Sequence, residues 1–330
     1  MILAIETSCD DTCVAVVTRD RAVLANEIAS QMDHDRFGGV VPEVASRRHL
    51  ELLDDVLAAA LEEADITLDE VDAIAATRGP GLIGTLLVGF SYAKALAAAA
   101  GKPLIPVDHL HAHVAANFLE PAAFEPPFVC LVASGGHTFL ARVTERSSYE
   151  IIGQTTDDAA GEAFDKGARL LGLGYPGGAA LDRLARTGDP TAYEFPRTYV
   201  GDLDFSFSGV KTSLLYRLRD LPEGQFEGIK ADLAASYQRA VIEMLVKRIG
   251  HAVEATGIER VAIGGGVAAN SLLRESVKQL GVAVKVPPTE FCTDNAAMIA
   301  AAAMEREAVA YPAFAALDAY PSGRSEPLSA

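Results

Sequence analysis

The sequence repeats one folding pattern, and this repetition constrains the architecture more than any other feature. The stretch "ILAIETSCDDTCVAVV" (Ile2–Val17) places an alternating apolar segment on each side of a polar turn, and "FVCLVASGGHTFLARV" (Phe128–Val143) does the same. Alternation around a turn rich in Ser, Gly or Asp is typical of a β-hairpin. A third strand is predicted after each hairpin, at "AVLANEIAS" and at "YEIIGQT". The chain is therefore expected to build two similar sheets.

Helices and further strands follow each set of three strands in the same order. The first helix is predicted from about Pro42 to Ala64, because Pro suits the first helical position and apolar residues recur at helical spacing. Each half has the pattern β-β-β-α-β-α-β-α, which predicts an α/β fold with two lobes. We place the boundary in the Pro-rich stretch near Pro121–Pro127, with lobes at 1–124 and 125–330 and a helical insertion at about 173–258.

The charge balance limits the partners of the chain. Its 330 residues include 28 Lys and Arg against 45 Asp and Glu, a net charge of −17. Such a surface does not attract anionic polymers, so a nucleic acid must bind a local basic patch or be held by a helper protein. This balance argues against a general DNA-binding protein and leaves a tRNA enzyme open.

Three features of the sequence indicate in which cellular compartment the protein is found. The start "MILAIETSCDD" has no basic segment and brings carboxylates at once, which predicts no signal peptide. The apolar stretch "LIGTLLVGFSYAKALAAAA" contains Ser91, Tyr92 and Lys94, so a buried helix is favoured over a membrane span. The four cysteines form no C-x-x-C pair, which predicts reduced thiols in a cytoplasmic protein.

Three of the seven histidines lie within five positions, at His109, His111 and His113. A helix advances about 100° per residue, so His109 and His113 share one face and His111 lies on the far side. Two imidazoles at this spacing suit a metal whose third ligand comes from elsewhere, although clustered histidines are also common on polar surfaces. The zinc-peptidase pattern H-E-x-x-H needs Glu where this chain has Leu110, which argues against a thermolysin-like peptidase.

Two glycine-rich turns are candidate phosphate sites. "ASGGHT" (Ala133–Thr138) joins the strands of the second hairpin, and "AIGGGVAAN" (Ala262–Asn270) joins a strand to a helix. Small residues let a ligand approach backbone N–H groups, which bind anions, but simple turns and close strand–helix packing use the same residues. The place of "ASGGHT" in a duplicated hairpin favours binding there. The stretch "LDFSFSGVKT" fits either a recognition loop or a packed insertion.

Ten motifs, taken in order, resemble one family. They are "IETSCDDT", "GGVVPEVASRRHL", "GPGLIGTLLVG", "HLHAHVAA", "ASGGHT", "DDAAGEAFDK", "YPGG", "LDFSFSGVKT", "GGGVAAN" and "CTDNAAMIA". The family is that of the TsaD-type tRNA adenosine threonylcarbamoyltransferases, once labelled O-sialoglycoprotein endopeptidases. The match extends from about Ile2 to Met304, and ten ordered motifs are far more specific than one glycine loop.

The resemblance implies both a fold and an activity. The fold is a duplicated actin-like ATPase fold (ASKHA, RNase H-like) with two lobes around a nucleotide and metal cleft. The activity is transfer of a threonylcarbamoyl group from threonylcarbamoyl-AMP to adenosine 37 of tRNAs that read codons beginning with A, with release of AMP. The donor is already activated as an anhydride with AMP, so we expect metal-assisted chemistry without a covalent protein nucleophile.

The resemblance also assigns residues. The metal, with iron (Fe²⁺) favoured and zinc as the alternative, is expected on His109, His113 and Asp294. Contacts to the substrate and to ATP or AMP are expected on nine residues of the second half: Val132, Ala133, Ser134, Gly135, Gly136, Asp165, Gly178, Asp182 and Asn270. Bacterial relatives commonly carry a carboxylate or another residue at position 111, so His111 is a departure that could compete for metal.

Two other functions remain open within the same superfold. A small-molecule kinase would need Mg²⁺ rather than a histidine-bound metal, and a non-catalytic paralogue would serve as a scaffold. The complete set of His109, His113 and Asp294 argues against both. The implied partners are tRNA, threonylcarbamoyl-AMP, an inactive paralogue of the same fold and a P-loop ATPase, with no membrane partner.

Overall fold

Strands and helices form where the periodicity predicts them. The computed structural model describes residues 1–31, 34, 39–119, 124–174, 176–222 and 224–322. Residues 120–123, which include the first three positions of the predicted boundary segment, Tyr175 of the "YPGG" motif and the tail from residue 323 onward lie outside the described residues. The chain divides into a first unit, Met1–Glu125 with Arg146–Ser148 and Asp294–Ala330, and a second unit, Pro126–Glu145 with Tyr149–Thr293.

The first unit follows the predicted order of elements. In chain order these are β1 (Ile2–Glu6), β2 (Asp11–Val17), β3 (Val23–Ser30), α1 (Pro42–Glu63), β4 (Ala73–Gly79), α2 (Ile83–Ala100), β5 (Leu104–Asp108) and α3 (His109–Ala115). The predicted start of α1 is confirmed, with Pro42 in its first turn and Glu43 adding an acidic side chain at the positive end of the helix dipole.

The second half contains the expected strands and helices around an insertion. In chain order these are β6 (Phe128–Ala133), β7 (Thr138–Glu145), β8 (Ser148–Gln154), α4 (Ala160–Leu170), α5 (Gly177–Ala185), β9 (Thr198–Val200), β10 (Asp204–Ser206), α6 (Ser208–Arg219), α7 (Phe226–Thr256), β11 (Arg260–Gly264), α8 (Ser271–Val277), β12 (Ala283–Lys285) and α9 (Ala296–Ala303).

The two main sheets have the same strand order. The first is β3-β2-β1-β4-β5 and the second, read in the matching direction, is β8-β7-β6-β11-β12. In each sheet the central strand pairs antiparallel with the second strand of its hairpin and parallel with the strand that follows the helices. The predicted duplication is confirmed, and both units are mixed α/β sheets covered by helices.

The long apolar helix belongs to the core of the first unit. By length and composition alone α2 could cross a membrane. Its Phe90, Ala93 and Ala97 are instead buried in a cluster with residues of β1, β2 and α1. The helix ends at Gly101, whose φ of 64° is the left-handed conformation that glycine adopts at helix ends.

Helix α9 departs from the predicted lobe boundary. The prediction assigned all of 125–330 to the second lobe, whereas the described residues 294–322 pack with the first unit. All eight residues of α9 are buried, because its alanines let it lie close against the first sheet. Asn295 caps the helix by accepting from the Met298 N–H at 2.9 Å, and Asn26 of β3 accepts from the Ala297 N–H at 3.2 Å.

The insertion packs as part of the second unit. Its long helix α7 runs for 31 residues and buries Tyr237, whose hydroxyl donates to the carbonyl of Ala163 at 2.8 Å. The "LDFSFSGVKT" stretch forms β10 and the start of α6, and Phe205 and Phe207 are buried in the same core. This favours the packed insertion over a loose recognition loop for the first half of that motif.

Candidate functional site

Helix α3 presents the two predicted metal-binding histidines on one face. It begins directly at the end of β5, where the Asp108 carboxylate caps it by accepting from the His111 N–H at 2.8 Å. The imidazole centroids of His109 and His113 lie 4.7 Å apart with their planes at 75°. Both side chains are buried. The i, i+4 geometry inferred from the sequence is present in the structure.

Asp294 completes a candidate metal centre in the first unit. One carboxylate oxygen lies 3.3 Å from His113 Nε2 and 3.7 Å from His109 Nε2. One ligand atom from each of the three residues falls within 4.8 Å of the others, as convergence on one ion requires. The ring nitrogens of His113 are buried, and neither has a hydrogen-bond partner among the described residues. Buried polar atoms of this kind call for a ligand, and a metal ion fits them.

Glu6 lies behind this centre and was not predicted. Its Oε2 lies 3.1 Å from His109 Nδ1, and the Ser8 hydroxyl lies 3.2 Å from the same nitrogen. The buried carboxylate also accepts from the Ser8 N–H and from the Thr77 hydroxyl. A proton on Nδ1 shared with Glu6 leaves Nε2 of His109 to face Asp294. Metal-binding histidines commonly rest on a carboxylate in this way.

The charges around His109 reinforce one another. Burial disfavours ionised Glu6, but the facing imidazolium of His109 and its hydrogen bond outweigh burial and lower the pKa of Glu6. Burial likewise opposes a charged His109, but Glu6 and Asp294 outweigh it and raise the pKa of His109 to about 9 when no cation is bound. The pocket thus favours positive charge at this position.

His111 lies away from the candidate metal ligands. Its Nε2 lies 2.9 Å from the carbonyl of Arg146, and its Nδ1 lies 3.2 Å from Nη2 of Arg306. Since the guanidinium donates to Nδ1, the ring proton is on Nε2 and is donated to the carbonyl. Burial and the charge of Arg306 lower the pKa of His111, which keeps the ring neutral. Both ring nitrogens are therefore engaged in holding the fold.

The thiols near the centre are poor nucleophiles. Cys13 Sγ lies 3.7 Å from the carbonyl of Asp294. Burial, with added repulsion from neighbouring carboxylates, raises the pKa of Cys13 and of Cys9 well above the usual range. A thiol in this state carries no thiolate at neutral pH, and the thiolate is the reactive form.

The glycine turn "GPGLIG" supports the first hairpin. A Cβ at Gly81 would lie 2.7 Å from the Ser8 carbonyl, and one at Gly89 would lie 2.1 Å from the Thr7 hydroxyl. Only glycine leaves room for α2 to lie this close to the "ETS" turn. These glycines therefore let the turn and α2 pack against the segment that carries Glu6 and Ser8.

The second unit brings several predicted nucleotide residues together in pairs. The turn after β6 leaves Gly135 and Gly136 exposed, with open space around both Cα atoms. Helix α4 begins against this turn, since a Cβ at Gly161 would lie 2.5 Å from the Ser134 carbonyl. Asp165 of the same helix accepts from the Gly178 N–H at 3.1 Å. An exposed backbone turn beside a helix start suits phosphate oxygens.

Asp182 and Asn270 are joined by a residue that the sequence did not indicate. Gln238 of α7 donates to the Asp182 carboxylate at 3.2 Å and accepts from the Asn270 side-chain amide at 2.8 Å. Ser271 donates to the same carboxylate at 2.7 Å. Gln238, Ser271 and Arg186 also line a cavity of about 310 Å³. A polar Gln within an apolar stretch of α7 was the available signal.

Two α/β units share one topology, and the first carries a candidate His-His-Asp metal centre. The family model for TsaD, tRNA N6-adenosine threonylcarbamoyltransferase, matches residues 22–301. A Clostridium botulinum relative with this name is 52% identical over 309 residues, covering 92% of this chain and 91% of the relative. This chain belongs to the TsaD family and is an acyltransferase that modifies tRNA.

Solved structures with low sequence identity confirm the predicted fold. Component A of (R)-2-hydroxyglutaryl-CoA dehydratase from Acidaminococcus fermentans superposes with a TM-score of 0.55 at 16% identity, covering 95% of this chain and 98% of that one. HypF from T. kodakarensis superposes with a TM-score of 0.60 at 15% identity, covering 92% of this chain and 47% of that one. The fold is the duplicated ASKHA fold with two lobes.

Proposed function

We propose that this chain transfers the threonylcarbamoyl group from threonylcarbamoyl-AMP to N6 of adenosine 37 in tRNAs that read ANN codons. Membership of the TsaD family supports the transferase chemistry. The observation that carries the proposal at the level of residues is the convergence of His109, His113 and Asp294 in front of buried Glu6. We assign the acyl end of the donor to this centre.

His109, His113 and Asp294 would hold one divalent metal, with Fe²⁺ favoured and zinc as the alternative. Two imidazole nitrogens and one carboxylate oxygen are a donor set that suits iron or zinc. When bound, the metal supplies a Lewis acid that orients the donor and polarises its carbonyl. Glu6 keeps the ring of His109 in place, and Asp294 balances the positive charge.

The residues of the second unit are assigned to the adenylate part of the donor, and to ATP or AMP. The Ala133–Gly136 turn offers backbone N–H groups to phosphate oxygens, with Val132 at the end of the strand that leads into it. The Asp165–Gly178 contact fixes the start of α5. The network of Asp182, Gln238 and Asn270 offers carboxylate and amide groups to polar groups of a nucleoside.

The reaction balances without a protein nucleophile. The N6 amine of adenosine 37 attacks the carbamoyl carbon, the bond from that carbon to the AMP phosphate oxygen breaks, and the amine loses one proton as AMP leaves. The raised pKa values of Cys9 and Cys13 support this direct route, because neither thiol is ionised at neutral pH. An acyl-enzyme recovered from an acid-quenched reaction would contradict it.

The alternatives fit the centre less well. A small-molecule kinase would use Mg²⁺, which prefers an octahedral shell of oxygen ligands, whereas this set offers two nitrogens. A non-catalytic scaffold has no need for a complete ligand set with a supporting carboxylate. We further propose that the chain acts in the cytoplasm, away from membranes, and works with an inactive paralogue of the same fold and with a P-loop ATPase.

The direct test supplies the purified chain with threonylcarbamoyl-AMP, an unmodified tRNA that reads an ANN codon and the two proposed partner proteins. The tRNA is then digested and its nucleosides are analysed by mass spectrometry. We expect threonylcarbamoyladenosine at position 37 and one AMP for each modified tRNA. A product that forms equally well when position 37 carries another base would refute the proposed acceptor.

A further inference from the structure

A small groove between α4 and α6 in the second unit has the composition of a nucleic-acid site. It has a volume of about 180 Å³ and is lined by Lys166, Arg169, Leu170, Lys211, Thr212 and Leu215. Two leucines give it apolar walls, and three of its six lining residues are cationic. This concentration of positive charge contrasts with the net charge of −17 for the whole chain.

Two carboxylates hold the lysines of the groove in position. Asp158 accepts from Lys166 and from Lys211, both at 2.9 Å, and Glu162 lies 2.7 Å from Lys166. Burial disfavours ionised Asp158, but hydrogen bonds from Lys211 and Lys166 outweigh it and lower its pKa. The ammonium groups are therefore held at the groove before any ligand arrives, which reduces the ordering cost of binding. Arg169 adds a third cationic side chain to the lining of the groove.

Exposed apolar and aromatic side chains continue from the groove along α6. Leu215 is 47% exposed and Tyr216 is 53% exposed. The guanidinium of Arg219 lies 4.9 Å from the ring centroid of Tyr216, on one face of the ring. Helix α6 carries Lys211, Arg217 and Arg219 and no acidic residue. Apolar surface with an aromatic ring among cations is the combination that binds single-stranded nucleic acid, through base stacking and phosphate contacts.

The groove shares helix α4 with the residues assigned to the donor. Lys166 directly follows Asp165, which contacts Gly178, and the first turn of α4 lies against Ser134. An RNA strand bound along the groove would therefore lie near the residues assigned to adenylate in this unit. This placement favours RNA over a protein segment as the occupant.

We propose that the α4–α6 groove binds single-stranded nucleotides of the tRNA anticodon loop. Lys166, Arg169 and Lys211 contact phosphates, and Tyr216 offers a stacking surface for a base. This inference rests on the proposed function, because it takes tRNA as the substrate. It extends that function by assigning the surface where the tRNA docks.

The test measures binding of the full chain to an unmodified tRNA that reads an ANN codon, to its anticodon stem–loop and to the stem alone, over a range of salt concentrations. Arg169→Ala is compared with Arg169→Lys, which keeps the charge. Tyr216→Ala is compared with Tyr216→Phe, which keeps the ring. Lys278→Ala is the matched control, because Lys278 is an exposed lysine elsewhere in the same unit.

We expect Arg169→Ala to reduce the slope of log affinity against log salt by about one unit, and Arg169→Lys to restore it. Tyr216→Ala should weaken binding of the stem–loop roughly tenfold, while Tyr216→Phe stays near wild type. The stem alone should bind weakly and equally to all variants. The proposal would be overturned if Arg169→Ala and Tyr216→Ala bind tRNA as tightly as the wild-type chain does. It would also be overturned if Lys278→Ala loses as much affinity as they do, or if the wild-type chain binds no tRNA.

Two further measurements separate this inference from the proposed function. If the wild-type chain forms no threonylcarbamoyladenosine while the groove variants still weaken tRNA binding, the proposed function fails and the groove stands. If the wild-type chain modifies tRNA and the groove variants bind and modify it equally well, the groove assignment fails alone. Groove variants that bind tRNA normally but lose a partner protein in a pull-down would make the groove a protein interface, and the inference wrong.

Discussion

Two carboxylates, Asp11 near the candidate metal centre and Asp158 beside the α4–α6 groove, have pKa values shifted in opposite directions. Near the centre, burial and the charges of Asp294 and Asp10 raise the pKa of Asp11 to about 7. In the second unit, burial of Asp158 is outweighed by two lysines, and its pKa is lowered. Asp182 there is paired with Arg186 at 2.7 Å. The first region suits a cation from outside, whereas the second supplies its own donors and suits an anionic substrate.

Removal of a metal ligand should have the largest effect. His113→Ala leaves His109 and Asp294 without a partner across the ion, so we expect loss of bound metal and a fall in transfer activity of about 100-fold or more. Metal content by mass spectrometry and nucleoside analysis check the two outcomes. AMP binding should persist, because the nucleotide residues belong to the second unit.

His111→Ala is the matched control for this ligand variant. His111 is also a buried imidazole of α3, but its ring nitrogens contact Arg146 and Arg306. We expect this variant to keep its metal while losing some thermal stability. Loss of metal from His111→Ala, together with retention in His113→Ala, would show that the ligand set is assigned to the wrong face of the helix.

Glu6→Gln tests whether the carboxylate behind His109 supports metal binding. Glutamine has nearly the same shape but no negative charge, so the ring of His109 loses the partner that fixes its orientation. We expect metal affinity to fall by roughly 10- to 100-fold in competition with a chromophoric chelator. Glu51→Gln, at an exposed carboxylate of the same unit, should match wild type. Unchanged affinity in Glu6→Gln would reduce Glu6 to a structural role.

Gln238→Ala tests the second unit in the same way. The substitution removes a donor to Asp182 and an acceptor for Asn270, and lost hydrogen bonds of this kind cost about 1 kcal/mol each. We expect AMP to bind roughly 5- to 10-fold more weakly by calorimetry. Metal content should be unchanged, which is the opposite of the result for His113→Ala. The exposed Gln279→Ala serves as control.

Sequence reasoning could find site residues that are close together in the chain, but not those that only the fold brings together. His109 and His113 are one helical turn apart, so periodicity alone predicts that they share a face. Asp294 is far away in the chain, and only the family resemblance indicated it. Glu6 was missed because its role depends on the parallel pairing of β1 with β4, which brings Thr77 beside it, and a single sequence does not state such a register.

The order of strands and helices was predictable because it follows from local sequence patterns. The fold departs from the prediction where tertiary packing determines which unit a helix joins. Hairpin alternation and helical spacing are local, so the duplicated order of elements follows from them. The lobe assignment of α9 depends instead on which sheet can accept a helix made of small residues, a tertiary property. Gln238 escaped prediction in the same way, since its partner Asp182 comes from α5 and its partner Asn270 is the residue that caps α8.

Asp11→Asn should have the smallest effect and tests the electrostatic half of the comparison. The folded pKa of Asp11, about 7, lies above its usual value near 3.8, so the folded chain holds a proton that the unfolded chain releases between these values. Stability of the wild-type chain without metal is therefore lost as pH rises toward 7, and asparagine avoids that loss. We expect Asp11→Asn to raise the free energy of unfolding by about 1–3 kcal/mol above pH 7. The gain should shrink as pH falls toward 4, in denaturant titrations with a chelator present. If the gain in the free energy of unfolding does not change with pH, then neighbouring carboxylates do not repel ionised Asp11. The two regions would then differ only in their ligands.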